Sequence, residues 1–364
     1  MHPTWLEVDH SAIAHNTRYV LEVSKVPLMA VVKTNAYGFG AEDVARTALK
    51  AGASWLAVAR CGEAFALRAA GITAPILVLG MATASEVDAA LDQQITLTLY
   101  GAEIAEIYAG RAAAAGRDLQ VHLKIDTGMG RLGVMAEDAV ALADYVRSLG
   151  GITIRGAYSH LSMVEDEAND PLTPLQLQRF SSALAGLNAA GIFPEWVHCS
   201  NSASLLSQPQ SRFNLVRGGS ILLGVNPFYY CPAPDELQRT LSWKAQLASC
   251  RQLPAGWGVG YGQTYRAASD EWVGVLPVGY GDGFRRVPGN EVLIRGKRTP
   301  VVGTVCTDMC MVRLTEPLPV GEEVVLIGRQ GDEAIWIEDI SKRWRISYAD
   351  VTSTISGRVP RVVV

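Results

Sequence analysis

Hydrophobic residues occur in two alternating patterns over roughly the first two-thirds of this chain. One pattern is a short, continuous apolar run rich in β-branched side chains. Such runs are typical of parallel strands that are covered on both faces. We predict eight of them, at Leu28–Val32, Trp55–Ala59, Ile76–Leu79, Ile95–Tyr100, Val121–Ile125, Ile152–Tyr158, Trp196–Cys199 and Phe213–Val216.

Segments in which apolar residues recur with helical spacing lie between these runs, and a glycine follows each one, as at a helix C-cap. Eight alternations of strand and helix match a (β/α)8 TIM barrel. An open doubly wound sheet is the alternative, but it needs a nucleotide-binding motif after its first strand, and none is present. The clearest helical segments are Ala41–Ala51, Glu63–Ala70, Glu137–Leu149 and Leu175–Ala190.

The pattern changes after Pro227, where prolines indicate a linker and shorter, alternating runs follow. Alternation of apolar and polar residues is typical of half-buried strands. We therefore expect an α/β chain of two domains, with the barrel at 1–230 and a mostly-β C-terminal domain at 231–364. The predicted strands of the second domain are Leu241–Ala248, Trp272–Val278, Glu291–Ile294, Val301–Cys306, Glu323–Ile327 and Ala334–Ile337.

Composition narrows the class of protein. The 364 residues are 49% hydrophobic and 19% charged, as in a globular enzyme. The net charge of -4 argues against a nucleic-acid partner. No apolar run is long enough to span a membrane, and the N-terminus does not resemble a signal peptide, so we expect a cytoplasmic protein. The six cysteines lack paired spacing, which indicates reduced thiols and no metal site.

Lys33 is the most informative single residue, because it ends the first apolar run and is followed at once by Tyr37 and two glycines. A desolvated lysine amine loses its proton easily and becomes a nucleophile toward carbonyl groups. Such an amine can hold pyridoxal 5'-phosphate (PLP) as a Schiff base. The alternative is a strand-end lysine that extends to water, and Lys33 taken alone would favour it.

Polar residues at further strand ends favour the first interpretation. Barrel enzymes work at the C-terminal ends of their strands, where these side chains would converge on one mouth. Gly218 and Gly219 would let the backbone approach a phosphate, with Ser202 adding a hydroxyl. The strand-end motifs are Lys124–Arg131, Tyr158–His160, His198–Ser202 and Arg217–Ser220.

Several motifs in order along the chain resemble those of the alanine racemases. This family consists of PLP enzymes with an N-terminal barrel and a C-terminal β domain. The resemblance is collinear over nearly the whole sequence, and so many matches in one order are highly specific. The motifs are Ala30–Gly38, Lys124–Gly133, His198–Ser202, Val259–Gly262, Pro277–Tyr280, Val305–Asp308 and Arg358–Pro360.

The resemblance implies racemisation of a small amino acid, most simply L-alanine to D-alanine, by two bases on opposite faces of the substrate. Lys33 would carry PLP and be one base, and Tyr261 of a second copy in a homodimer would be the other. Arg131 and the backbone of Thr307 would bind the substrate carboxylate. In some members the lysine matching Lys124 is carbamylated and holds the arginine in place. The implied cofactor-binding residues are Lys33, Tyr37, His160, Asn201, Ser202, Arg217, Gly219, Ser220 and Tyr280.

Arg217 would face the pyridine nitrogen and keep it unprotonated by like-charge repulsion. PLP decarboxylases of the same plan carry an acid there, and non-catalytic PLP carriers lack the second domain, so both alternatives are disfavoured. One departure from the family pattern bears on the substrate. Gly357 stands where many members have a tyrosine that narrows the pocket, and together with Thr307 it could admit a longer or polar side chain such as serine.

Overall fold

The computed structural model describes residues 2–166 and 170–364. One of its sheets forms a nearly closed barrel of eight parallel strands in chain order. The last strand pairs with the first, with Val216 opposite Leu28. The predicted TIM barrel is therefore confirmed. The barrel strands are Leu28–Val31, Trp55–Val58, Ile76–Val78, Thr96–Leu99, Leu119–Asp126, Ile152–Tyr158, Trp196–His198 and Val216–Gly218, and the two-residue strand Val134–Met135 pairs with the fifth.

Helices follow the barrel strands, and His10–Ser24 precedes the first of them. The apolar faces of these helices bury residues such as Val44, Leu67 and Phe180. Helix boundaries lie within about three residues of the predicted ones. The helices are Ala41–Lys50, Cys61–Ala69, Ala84–Asp92, Ala102–Ala115, Ala139–Leu149, Leu172–Ala189 and Ser204–Ser207, with 3-10 turns at Ala136–Asp138 and Pro209–Ser211.

The predicted eighth strand, Phe213–Val216, is wrong in its position. Phe213 has a left-handed backbone with φ of 47°, which a strand cannot contain. The side chain of Asn214 accepts from the Val197 backbone at 2.7 Å and donates to the Glu195 carbonyl at 2.8 Å. A side chain therefore replaces strand pairing at this point, and the strand begins only at Val216.

A second sheet, mostly antiparallel, is built mainly from strands after residue 240. The strand Glu323–Gln330 pairs with Leu241–Gln246, which pairs with Thr4–Val8. The strand Thr4–Val8 also pairs in parallel with the edge strand Arg361–Val363. The remaining strands are Ser249–Leu253, Glu271–Leu276, Glu291–Ile294, Lys297–Val302, Cys310–Leu314 and Glu333–Ile335, with a two-stranded ribbon of Gly258–Val259 and Tyr265–Arg266. Helices Ile337–Trp344 and Tyr348–Ser353 and 3-10 turns at Tyr261–Gln263 and Tyr280–Asp282 complete this part of the chain.

The strand predicted at Val301–Cys306 is displaced, because the observed one ends at Val302. Gly303 follows with φ of 69°, and a Cβ there would lie 2.6 Å from the Val259 carbonyl oxygen. The chain therefore turns at this glycine, and Cys306 lies in a loop. The strands Ser249–Leu253 and Cys310–Leu314 were not predicted.

The contacts of the described residues divide the chain into two units. One comprises residues up to Ala12, Tyr37–Gly40 and Arg239–Val364, and the other comprises Ile13–Ala36 and Ala41–Gln238. This partition differs from the expected domains, 1–230 and 231–364, mainly at the N-terminus, because Thr4–Val8 pairs in the β sheet. Within the described ranges, no helix combines the length and apolarity that crossing a membrane requires.

Candidate active site

The polar strand ends of the barrel unit form one electrostatic cluster. The charges of Arg131 and Arg217 both act on the Lys33 amine and on Lys124. His160 is influenced by the same four groups. The convergence expected from the sequence is therefore found for these five residues of the barrel unit.

Lys33 lies just beyond the strand Leu28–Val31 and is partly buried. Burial lowers the pKa of its amine, and the nearby positive charges of Arg131 and Arg217 lower it further, whereas Glu63 acts in the opposite direction. The neutral amine is thus favoured relative to an exposed lysine. This is the state in which an amine attacks a carbonyl or accepts a proton.

The four residues after Lys33 form a left-handed turn. Thr34, Asn35, Ala36 and Tyr37 have φ between 50° and 54°, although none is a glycine. This conformation costs roughly 1–2 kcal/mol per residue. Strain of this kind persists where surrounding structure enforces it, and it is concentrated at functional sites.

Arg217 is the centre of a buried hydrogen-bond network at the end of the eighth strand. Its guanidinium donates to His198 Nδ1 at 2.6 Å and to His160 Nδ1 at 3.0 Å. It also donates to the Ser159 and Cys199 carbonyls, at 2.9 and 3.0 Å. Because a guanidinium only donates, both histidines must accept through Nδ1 and, when neutral, carry hydrogen on Nε2.

The network continues into the barrel interior through a second histidine pair. His198 Nε2 lies 2.9 Å from His122 Nδ1, so His122 accepts there and carries its own hydrogen on Nε2. Burial holds the pKa of His122 at about 3, and those of His160 and His198 well below the usual value, with Arg217 adding to the shift. All three rings are therefore neutral at physiological pH.

Lys124 places a second amine inside this cluster. The residue is 5% exposed, and its Nζ has no hydrogen-bond partner among the described residues. Burial, with Arg217 next in effect, lowers its pKa to about 7. Buried polar groups are normally hydrogen-bonded, so the Lys124 amine is an exception within the described chain.

Arg131 is exposed on a glycine-rich loop that Asp126 organises. Asp126 Oδ1 accepts from the backbones of Gly128, Met129 and Gly130, at 2.9, 2.9 and 3.2 Å. The chain closes back at Gly133, where a Cβ would lie 2.7 Å from the Asp126 nitrogen. The loop is therefore held on both sides of Arg131, by Asp126 before it and by the close approach at Gly133 after it.

The turn after the eighth strand forms a small donor site. The backbone N–H groups of Gly219 and Ile221 donate to Ser202 Oγ, at 3.1 and 3.5 Å. Ser220, which lies between these two residues in the sequence, is buried. Asn201 instead uses its side chain for local structure, donating to Glu165 at 2.9 Å and accepting from the Ser204 backbone at 2.9 Å.

The other predicted site residues belong to the β unit, including Tyr37 at the end of the left-handed turn. Tyr261 is 71% exposed and stands on a turn between Gly260 and Gly262, both with φ of 69°. Thr307 Oγ1 donates to Tyr280 Oη at 2.6 Å. A cavity of about 390 Å³ is lined by Trp257, Tyr261, Thr307, Met309 and Met311, among others.

Sequence reasoning assigned no role to His122, Glu63 or the acceptor function of His198. The signal for His122 was its spacing, since it precedes Lys124 by two residues on one strand and so points into the same interior. Glu63 gave a weaker signal, because an acid in the first turn of a helix is common.

Fold and site together define a TIM-barrel enzyme that has a cluster of polar strand ends, including a lysine amine of lowered pKa, and an additional β unit. Comparison with known families agrees with this class. Residues 8–227 match the family described as alanine racemase, N-terminal domain, and residues 240–363 match alanine racemase, C-terminal domain. The chain belongs to the alanine racemase family, and it is an amino-acid racemase.

Individual relatives are similar over nearly their whole length. The chain is 42% identical to alanine racemase of Symbiobacterium thermophilum over 99% of this chain and 97% of the relative. It is also 42% identical to that of Geobacillus stearothermophilus, covering 99% and 93%. Both match lengths include the barrel and the β unit.

Solved structures show the same fold. A crystal structure of alanine racemase from Bacillus anthracis with bound L-Ala-P has a TM-score of 0.96 at 36% identity, covering 100% of this chain and 95% of that one. A histidine racemase from Leuconostoc mesenteroides subsp. sake has a TM-score of 0.92 at 29% identity, covering 100% and 98%. The fold therefore also serves a racemase with a different named substrate.

Proposed function

We propose that this chain interconverts L- and D-alanine with PLP held at the mouth of its barrel, residues 1–230. The observation that carries the proposal is the pairing of an amine of lowered pKa, Lys33, with a buried guanidinium, Arg217, in one cluster. Alanine is proposed as the substrate because the similar relatives described above are alanine racemases.

The residues present fit this cofactor. Lys33 would hold it through Nζ, Arg217 would face its ring nitrogen, and the donors around Ser202 and Gly219 would receive its phosphate. Two N–H groups that converge on one hydroxyl oxygen match an anion site. When bound, PLP withdraws electrons from the substrate and so weakens the Cα–H bond. Tyr37, Asn201, Ser220 and Tyr280 remain proposed members of the same site.

Inversion requires a proton to leave one face of Cα and another to arrive on the opposite face. The neutral Nζ of Lys33 would remove or deliver the proton on one face of Cα. Tyr261 Oη of a second copy would deliver or remove the proton on the opposite face. The Nε2 hydrogen of His160, whose Nδ1 is occupied by Arg217, could then be donated to the tyrosine oxygen.

Arg217 would set the electronic character of the site. A guanidinium donates hydrogen bonds but accepts none, and it repels a second positive charge, so Arg217 would keep a facing ring nitrogen unprotonated. Arg217 would thereby limit electron withdrawal from the substrate and favour return of the proton to Cα over transamination.

Arg131 would bind the substrate carboxylate, helped by the Thr307 backbone of the second copy. Burial lowers the pKa of the Lys124 amine to about 7, so a substantial fraction is neutral near neutrality and can react with carbon dioxide. Nζ would form an N–C bond to carbon dioxide and release one proton, and the resulting carbamate would place an anion among Arg131 and Arg217. The carbamate oxygens could accept hydrogen bonds, in place of an amine that has no hydrogen-bond partner among the described residues.

The second copy completes the proposed site. The exposed Tyr261 and the cavity beside Thr307 belong to the β unit, which suits a surface that serves another subunit. We therefore propose a homodimer in which segment 231–364 of each chain completes the partner's barrel site.

A broader substrate range is the second candidate. A Cβ at Gly357 would meet no atom within 4 Å, so the position leaves open space. The histidine racemase named above shows that this fold is compatible with another substrate in a relative.

One experiment tests both candidates. The purified, PLP-loaded protein is incubated with a panel of L-amino acids in deuterium oxide, and products are resolved by chiral chromatography and mass spectrometry. We expect D-alanine that carries deuterium at Cα. Absence of deuterium at Cα in every substrate would refute racemisation at this site, and a preference for L-alanine over L-serine above about a thousandfold in kcat/KM would reject the broader range.

A further inference from the structure

Glu63 gathers backbone donors from two barrel strand ends onto a single carboxylate. Its Oε2 accepts from Ala59 at 2.8 Å and from Arg60 at 3.0 Å, both beyond the second strand. Its Oε1 accepts from Thr34, the residue directly after Lys33. The carboxylate thus spans the ends of the first and second strands.

These contacts begin where the strand ladder stops. The first two strands pair up to Val31 opposite Ala57, and Val32 adds one further bond to the Ala57 carbonyl at 2.9 Å. Beyond that point the chain enters the left-handed turn. Glu63 therefore supplies the acceptor that the Thr34 N–H needs as the ladder ends.

The turn has a second anchor in its own sequence. The side chain of Asn35 accepts from the Ala41 backbone at 2.8 Å, and Ala36 donates to the Val32 carbonyl at 2.9 Å. The Asn35 bond holds the far end of the turn, and the Ala36 bond closes the turn across Lys33. Glu63 holds the N–H that directly follows Lys33, so its removal would leave this N–H without its acceptor.

Glu63 is also an electrostatic partner of the lysine. Arg131 and Arg217 lower the pKa of Lys33, and among the charged groups of the described chain that shift it, Glu63 is the one that raises it. Lys33 also lowers the pKa of the buried His160, whose ring is neutral and so adds no charge near the amine. The carboxylate therefore limits how far the positive cluster depresses the basicity of Lys33.

We infer that Glu63 is a positioning residue for the racemase: by accepting from the Thr34 backbone it fixes the left-handed turn next to the Lys33 amine. This inference rests on the proposed role of Lys33. Glu63 acts on the lysine through backbone and charge, while the chemistry belongs to Lys33 itself.

The test compares Glu63→Gln and Glu63→Ala with the wild type and with Glu86→Gln. Glu86 is a matched control, because it occupies the first turn of the next barrel helix and accepts from the Thr83 backbone at 2.8 Å. The first readout is the pH profile of Lys33 acetylation in the PLP-free protein, with exposed Lys297 as internal reference. The second readout is hydrogen exchange at the amides of Thr34, Ala59 and Arg60.

For Glu63→Gln we expect the midpoint of Lys33 labelling to move to lower pH, by about half a unit or more. For Glu63→Ala we expect the three amides to exchange at least about tenfold faster, because their acceptor is lost. PLP-loaded Glu63→Gln should lose about tenfold or more in kcat, since small displacements of a reacting group are costly. Glu86→Gln should match the wild type in all three.

An unchanged Lys33 profile in Glu63→Gln, or a shift to higher pH, would overturn the inference, as would equal effects of Glu86→Gln. Glu63→Gln keeps one acceptor oxygen and so remains informative if the alanine variant fails to fold. The proposed function fails separately: a Lys33→Ala protein that still binds PLP covalently would refute it, whatever the Glu63 variants do.

Discussion

Arg217 donates to His198 Nδ1 at 2.6 Å, and this contact determines where hydrogens lie in the barrel interior. His198 must then donate through Nε2 to His122, 2.9 Å away. The guanidinium thereby fixes the tautomer of both histidines, while burial, aided by the charge of Arg217, keeps them neutral.

The first prediction is a pH dependence of stability. His122, His160 and His198 have folded-state pKa values below the unfolded value of about 6.5. The unfolded state therefore binds more protons, and stability present above pH 6.5 is lost as the pH falls, by up to about 1.4 kcal/mol per pH unit for each histidine. Denaturant unfolding from about pH 7 to 5 measures this loss in a Glu165→Gln background, because burial raises the pKa of Glu165 to about 7 and its titration would act in the opposite direction. His122→Leu should flatten the slope in that background, and a pH-independent Glu165→Gln protein would contradict the assignment.

The second prediction concerns reaction fidelity. Replacing Arg217 by Glu would place an acid at the ring nitrogen and make the cofactor a stronger electron sink. We expect slower racemisation and at least about a tenfold rise in the ratio of transamination to racemisation. Pyridoxamine phosphate and D-alanine are quantified together by chromatography. Arg217→Gln, which removes charge without reversing it, should be intermediate, and an unchanged ratio in both variants would reject the role.

The third prediction is a carbamate on Lys124. A neutral amine adds to carbon dioxide, and a pKa of about 7 leaves much of Lys124 neutral near that pH. We expect a carbamate resonance in carbon-13 NMR after equilibration with labelled bicarbonate. Removal of carbon dioxide should raise KM for alanine, because Arg131 loses an anionic neighbour. A resonance that persists in Lys124→Ala would assign the signal elsewhere.

The fourth prediction tests the loop that carries Arg131. Gly133→Ala would force a Cβ to 2.7 Å from the Asp126 nitrogen at φ of 131°. The loop must shift, so we expect KM for alanine to rise by about tenfold or more and stability to fall by about 1–3 kcal/mol. Gly116→Ala is the control, because its φ is 62° and its Cβ would meet nothing within 4 Å. It should lose about 1 kcal/mol of stability and retain the wild-type KM.

The fifth prediction addresses the proposed sharing of sites between subunits. Lys33→Ala and Tyr261→Phe should each have little activity alone. After the two are mixed, unfolded and refolded together, each mixed dimer would hold one site with both native residues. Activity should then return to about a quarter of the wild-type value, since half of randomly paired dimers are mixed. No recovery, despite mixed dimers shown by native mass spectrometry, would place both residues in one chain's site.

The fold was largely predictable because its signals are local. Continuous apolar runs and helix-ending glycines gave the barrel strands from Leu28 to His198 nearly at their observed positions. The errors fell where a side chain or a positive φ interrupts the pattern. Asn214 replaces backbone pairing before the eighth strand, and Gly303 ends a strand that its apolar residues would have continued.

The amino-acid sequence by itself determined the barrel, the additional β segment, the family and the candidate amine at Lys33, because periodicity and motif order depend on neighbours along the chain. Only the tertiary structure decided that Arg217 orders His198 and His122, that Lys124 is buried without a hydrogen-bond acceptor in the described chain, and that Glu63 reaches Thr34. These properties depend on burial and on hydrogen-bond geometry between residues far apart in sequence, and local sequence patterns predict neither of them.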